Sequence, residues 1–178
     1  VPSVLSKNPD AKFVFAGAGY MTDRLKRQAC DMGLADKILF LGFVDDLTLK
    51  KLFHISDMVV VPSRYEPFGI TTLEAMACRK PVVVSDTGGL AETVDHDVNG
   101  IKVWTESSDS VAWGINRLLA DKGLSRKISE NAYDTVVNNY TWTNISQRVK
   151  KLYENVMEQY YACDWKPAIV AGNQTDSA

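Results

Sequence analysis

The alternation of short apolar runs with stretches of helical spacing constrains the fold of this chain most strongly. Five runs read as strands: Lys12–Ala16 (KFVFA), Lys37–Leu41 (KILFL), Asp57–Val61 (DMVVV), Pro81–Ser85 (PVVVS) and Ile101–Trp104. Between the first two, Tyr20–Met32 places apolar or small residues at Met21, Leu25, Ala29 and Met32, with Gly33 as a stop. Asp46 is expected to cap a short helix carrying Leu49, Leu52 and Phe53. Gly69–Cys78 reads as a helix, and Gly88-Gly89 opens a short turn or helix through Thr93. Strands alternating with helices form βαβ units. The crossovers make the strands parallel and put helices on both faces of the sheet. The runs are nearly continuous Val, Ile, Leu and Phe, as burial on both faces requires. The expected fold is therefore α/β, a doubly wound parallel sheet. Three further helical patterns follow it: Ser110–Ala120, Leu124–Asn139 and Thr143–Tyr160. One domain is expected over residues 1–160, and a tail over 161–178, partly disordered in its polar end Gly172–Ala178.

At 178 residues, one domain can bury about two-thirds of its chain surface, so it needs neither disulfide nor metal staple. The net charge of −2 lacks the basic footprint of a nucleic-acid binder. No run approaches the roughly 18 apolar residues of a membrane span. The cysteines Cys30, Cys78 and Cys163 are odd in number and widely spaced, with no CxxC. A reducing, cytoplasmic compartment is expected, and the sequons at Asn144 and Asn173 then read as chance matches. The start, Val1-Pro2-Ser3, shows no signal peptide and no initiator methionine, as expected of a piece of a longer chain.

Doubly wound sheets bind ligands beyond the carboxyl ends of their strands. The first such loop, Gly17-Ala18-Gly19-Tyr20-Met21-Thr22, begins like a dinucleotide fingerprint, but Thr22 stands where the third glycine belongs. The plain reading is a tight turn that uses glycine's conformational freedom. Asp45, after the second strand, is a possible ribose ligand. The loop after the third strand, from Pro62 to Gly69, says more. It carries Glu66 and runs into a helix at Gly69. The first amides of that helix, at Gly69, Ile70 and Thr71, lack internal partners and sit at the positive end of a helix dipole, which suits a diphosphate. A residue without a side chain at Gly69 lets an anion approach closely. Glu74 lies about one and a half turns into the helix. Taken singly, Glu66 reads as a turn residue and Glu74 as part of a solvated face. Next to Ala75-Met76-Ala77, however, a carboxylate is costly without a partner.

Glu66 and Glu74 are separated by seven residues within PSRYEPFGITTLEAMA, followed by KPVVVSDTGGLAETV and Asn99-Gly100. With these motifs the chain resembles, from about Asn8 to Tyr153, the carboxyl-terminal half of a family 4 retaining glycosyltransferase of the GT-B fold. The resemblance implies a Rossmann-like, nucleotide-sugar-binding domain whose donor is a UDP-, ADP- or GDP-sugar. By similarity, Glu66 is the catalytic residue, holding donor-sugar hydroxyls and stabilising charge at the anomeric carbon. Glu74 would bind the ribose hydroxyls. The amides of Phe68, Gly69, Ile70 and Thr71 would face the sugar and diphosphate. Gly42, Phe43 and Val44 would contact the base, and Gly17 and Gly19 would approach the ribose or phosphates. The helix terminus would then neutralise the leaving group, with no metal required.

The sequence Tyr65-Glu66-Pro67-Phe68-Gly69 leans toward glucose-type members. Asp95-His96-Asp97 matches the D-x-D of metal-dependent glycosyltransferases, but reads as a turn before a strand. His54 reads as a packed helix residue. The family has glycine at the position of Arg79, in a left-handed conformation that arginine adopts at a cost of about 1 kcal/mol. The family's first strand, with its phosphate-binding Arg and Lys, is not matched; Arg64 and Lys80 are nearby cations outside the motif. An N-terminal domain carrying the acceptor site is the expected partner. Any peripheral membrane contact would run through that domain, and residues 1–178 alone would be inactive. The last helix, or the tail with Trp165, is expected to cross back to it and to leave apolar surface open when alone. Two other readings are a non-catalytic nucleotide-sugar-binding module of the same fold and a dinucleotide-binding oxidoreductase domain.

Overall fold

The computed structural model describes residues 1–163, so the expected tail beyond Cys163, with Gly172–Ala178 and Trp165, lies outside the described residues. The elements in order are α1 (Pro2–Leu5), β1 (Phe13–Ala16), α2 (Thr22–Asp31), β2 (Ile38–Gly42), α3 (Asp46–Ile55), β3 (Val59–Val61), α4 (Ile70–Ala77), β4 (Val82–Ser85), α5 (Gly88–Thr93), β5 (Ile101–Val103), α6 (Ser108–Ala120), α7 (Lys122–Asn139) and α8 (Trp142–Ala162). The sequence pattern anticipates every one of these except α1. At four residues α1 is too short to show a period, and it is started by proline in its first turn. α8 continues two residues past the expected limit at 160.

All strand pairs are parallel, as expected, but the strands form two sheets rather than one: β1–β2 and β3–β4–β5. Hydrophobic period reveals a strand and its buried face, but not which edges meet. The three-stranded sheet holds the core. Val82, Val83 and Val84 of β4 are fully buried. Side chains alternate across a strand. Val83 thus joins Ile101, Val103, Val4 of α1, Ala112, Ile115 and Leu118 of α6 and Ile128 of α7 in one cluster. α4, α5 and α6 all pack on β4. Gly114, inside α6, permits the close approach: a Cβ there would lie 2.9 Å from Val103 Cγ1 and 3.0 Å from Val83 Cγ1. The expectation of strands buried on both faces thus holds at β4. It fails at the β1–β2 pair, where Val14 and Leu39 are 47% and 54% exposed. The reason is cover: among the helices, α2 alone packs substantially on β2.

Several local expectations are corrected. Asp45, not Asp46, is the N-cap of α3; its backbone is extended, and its carboxylate accepts from the Thr48 amide at 2.7 Å. That donated N–H holds the Asp45 carboxyl below its usual range. His54 is exposed rather than packed, and its carbonyl accepts from Lys80 Nζ at 2.9 Å. Arg79 does adopt the left-handed conformation, with φ of 55°. Its amide bonds Met76 O and the Lys80 amide bonds Ala75 O, the paired closure of a Schellman motif. Its guanidinium lies 3.6 Å from the Tyr133 ring centroid on α7. That cation–π contact is worth about 0.5–1 kcal/mol and offsets much of the backbone cost.

The chain divides into two compact units, one over Val1–Asn138 and a second beginning at Asn139. The second unit contains α8, capped by Thr141. Among the described residues, no helix is long and apolar enough to cross a membrane.

Candidate functional site

The site is built from the loop between β3 and α4. Pro62 cannot donate to a strand ladder, and β3 ends at Val61. Gly69 caps α4 with φ of 90° and ψ of 43°. Glycine is needed there twice: for that dihedral, and because a Cβ would come within 2.6 Å of Leu90 Cδ2. The cap offers no side-chain oxygen to the helix amides. The Thr72 amide turns back to Gly69 O at 3.0 Å. The amides of Ile70 and Thr71, at the first two helical positions, lie where a helix has no internal acceptor.

Helical geometry sorts α4 into two faces. Thr72, Leu73, Ala75 and Met76 are buried, while Ile70, Thr71, Glu74 and Ala77 form an exposed stripe. Glu74 stands three and four residues beyond Thr71 and Ile70, on the same face. Its Cα–Cβ bond tilts back toward the helix start. The expectation of a carboxylate in apolar surroundings is thus overturned. Glu74 faces solvent. Glu66 is half-buried in the loop. Ser63 Oγ donates to Glu66 Oε2 at 3.1 Å, and Glu66 O accepts from the Gly89 amide at 2.9 Å. Phe68 is partly exposed beside the cap.

The remaining predicted residues sit on the other sheet. Gly17 has φ of 130°, and its amide bonds Gly42 O at 2.7 Å. A Cβ at Gly17 or Gly19 would meet nothing within 4 Å, so this loop is open to a ligand. Thr22 explains the absent third glycine. Its Oγ1 accepts from the Gly19 amide at 3.1 Å, and its own amide bonds Gly19 O at 3.0 Å, closing the turn. A hollow of about 240 Å³ lies between Gly17, Gly19, Thr22, Leu25, Phe15 and Phe40. Phe43 is 85% exposed and Val44 half-buried, while Asp45 is occupied as the α3 cap.

The D-x-D residues serve a turn. Asp97 has φ of 64° and forms a two-point pair with Arg117, whose Nη2 lies 2.9 Å from Oδ2. The Arg117 hydrogen bond holds the Asp97 carboxyl below its usual range. His96 Nδ1 accepts from the Lys102 amide, and Asn99 Oδ1 accepts from the Asp95 amide. Among the described residues, no group of three or more His, Cys, Asp or Glu is placed to hold a metal ion.

Sequence reading missed Ser63 as the partner of Glu66, though a hydroxyl three residues ahead of a loop carboxylate is a local turn signal. It also missed the contact of Gly88 and Gly89 with the Glu66 loop, because that contact spans more than twenty residues.

Comparison with known proteins bears on this geometry. An uncharacterized glycosyltransferase of Methanocaldococcus jannaschii is 47% identical over 158 residues, covering 89% of this chain and 40% of its own length. HepE of Anabaena, solved in complex with UDP, superposes with a TM-score of 0.77 at 30% identity, over 85% of this chain and 43% of that one. The C-terminal domain of the group 1 glycosyltransferase LpcC of Francisella tularensis gives a TM-score of 0.71 at 32% identity, over 78% of this chain and 74% of that one. The chain spans about 40% of the length of the curated relative. The family model of glycosyl transferases group 1 matches residues 1–135, and the chain, with the parallel α/β architecture of GT-B glycosyltransferases, belongs to that family.

Proposed function

We propose that these residues form the nucleotide-sugar-binding half of a retaining glycosyltransferase, which moves a glucose-type sugar from a nucleoside diphosphate to an acceptor held by an N-terminal domain. One observation carries the reading. Ile70, Thr71 and Glu74 share one exposed stripe at the start of α4, directly after the buried, left-handed Gly69 cap. A diphosphate fits the amide end and the helix dipole, and a ribose one turn further on would meet Glu74. When the sugar–phosphate bond breaks, negative charge grows on the diphosphate. Fixed N–H groups stabilise that charge without reorganisation and without a metal ion. Glu66, steadied by Ser63, would hold the sugar and offset positive charge at the anomeric carbon. Phe43, Val44 and the open Gly17–Gly19 loop offer surface for base and ribose. UDP in the HepE structure supports a nucleotide of this kind.

The strand order supports a place for one more strand. A doubly wound sheet of order 3-2-1-4-5-6 contains, on either side of its first strand, the two parallel groups seen here as β2–β1 and β3–β4–β5. An added strand between β1 and β3 would join them and bring in the family's phosphate-binding cations. Turnover by residues 1–178 alone is expected to be absent, and measurable transfer by them would overturn that part.

The test is a thermal-shift screen of the chain with UDP-, ADP- and GDP-glucose and their free diphosphates. At least one is expected to raise the melting temperature, and Glu74→Ala to abolish the rise. NMR of the product anomer made by a protein that includes the N-terminal domain decides retention; an inverted product contradicts it. Absence of any transfer by that longer protein, with nucleotide binding intact, favours the non-catalytic module.

A further inference from the structure

We propose that the turn Thr87-Gly88-Gly89, at the start of α5, is the positioning element for the Glu66 carboxylate; the inference rests on the donor-binding reading above. The contact runs residue against residue. Thr87 Oγ1 donates to Arg64 O at 3.3 Å, and the Gly89 amide donates to Glu66 O at 2.9 Å. A Cβ on Gly88 would stand 2.1 Å from Glu66 O and 3.1 Å from its carbonyl carbon. One on Gly89 would stand 2.4 Å from Phe68 Cα and 2.6 Å from Phe68 O. Gly100 and Gly114 are crowded too, but chiefly by side chains of the core, which serve packing. Around Gly88 and Gly89 the nearest atoms are all backbone of residues 66–68, which cannot rotate away. The two glycines exist so that the donor loop can lie flat on the start of α5.

The two sides of this contact differ in how firmly they are held. α5 is pinned: Leu90 and Val94 are fully buried, and Lys102 Nζ donates to Ala91 O at 2.7 Å. The loop is solvent-exposed at Tyr65, Pro67 and Phe68. An added methyl group therefore displaces the loop rather than the helix. Glu66 moves with it, while Glu74, on the body of α4, stays in place. Loss at Gly88 and Gly89 should fall on the sugar, not on the nucleotide.

The experiment is calorimetric titration of the 178-residue chain and its variants with UDP and UDP-glucose, or with the ADP or GDP pair if wild type binds that pair more tightly. For Gly88→Ala and Gly89→Ala we expect nucleoside diphosphate affinity within about threefold of wild type and nucleotide-sugar affinity weakened about tenfold or more. Gly123→Ala, on α7, serves as the control and should match wild type. Thr87→Ala adds no atom and removes no cap bond. It should weaken the nucleotide sugar about twofold and leave the diphosphate unchanged, which keeps the test decisive should the glycine variants not fold. Equal affinity of all variants for the nucleotide sugar overturns the inference, and so does parallel loss of both ligands. A wild-type chain that binds none of the pairs overturns the donor-binding reading itself, a separate outcome.

Discussion

The two sheets are built from runs that look alike, and they end in opposite surroundings. KILFL and PVVVS are both short and apolar, yet Val82–Val84 are fully buried while Leu39 is 54% exposed. Composition of a strand therefore does not decide its burial; its neighbours do. β4 lies between two parallel partners and under α4, α5 and α6, whereas β1 and β2 have one partner each and thin helical cover. The division extends to the site. The buried sheet carries the Glu66–Glu74 group on a rigid base. The exposed sheet carries the open glycine loop and Phe43, the surfaces proposed for base and ribose.

The largest expected effect tests that contrast in stability. Ile101→Ala in β5 should cost about 2–5 kcal/mol by chemical denaturation, through lost apolar transfer and a cavity. Leu39→Ala in β2 should cost well under half as much, because much of its side chain already meets water. Similar losses at both positions would break the distinction. A middle-sized effect is expected at Arg79, at the end of the helix that anchors the site. Arg79→Ala keeps the left-handed strain and loses the Tyr133 stack, for about 0.5–1 kcal/mol. Arg79→Gly loses the stack but relieves the strain, and should be nearly neutral. The smallest effect is electrostatic. Arg117 depresses the Asp97 carboxyl, so the folded state favours the charged form. Its stabilisation is present above the ordinary carboxylate range and disappears as pH falls below about 4 and through the lowered value. The pair is partly solvent-exposed, so the increment is small. Asp97→Asn should flatten the acid limb of a melting-temperature-versus-pH profile, leaving the neutral plateau slightly lower.

Much of this was legible in the sequence, for identifiable reasons. Strand and helix periods mark every element from β1 to α8. The Glu66 loop and Gly69 announce themselves by spacing, and Arg79 by standing where a left-handed glycine belongs. Thr22 turned out to close the turn that a third glycine would otherwise shape. What was not legible is non-local. Edge pairing cannot be read from a strand's own residues, so the split into β1–β2 and β3–β4–β5 was unforeseen. Glu74 was expected among apolar neighbours because Ala75 and Met76 flank it in sequence, but at about 100° per residue they point inward while it points out. The fit of Gly88 and Gly89 under residues 66–68 likewise arises only when two crossovers meet.

The central claim is that the start of α4 is a nucleotide site with Glu74 as a ribose ligand. Its most direct measurement is calorimetric titration of a nucleoside diphosphate into wild-type chain and Glu74→Ala. The account predicts one-to-one binding by wild type and at least a tenfold loss in the variant, with unchanged circular dichroism. Equal affinity of the two proteins, or no binding of any of the three diphosphates by wild type, would contradict it.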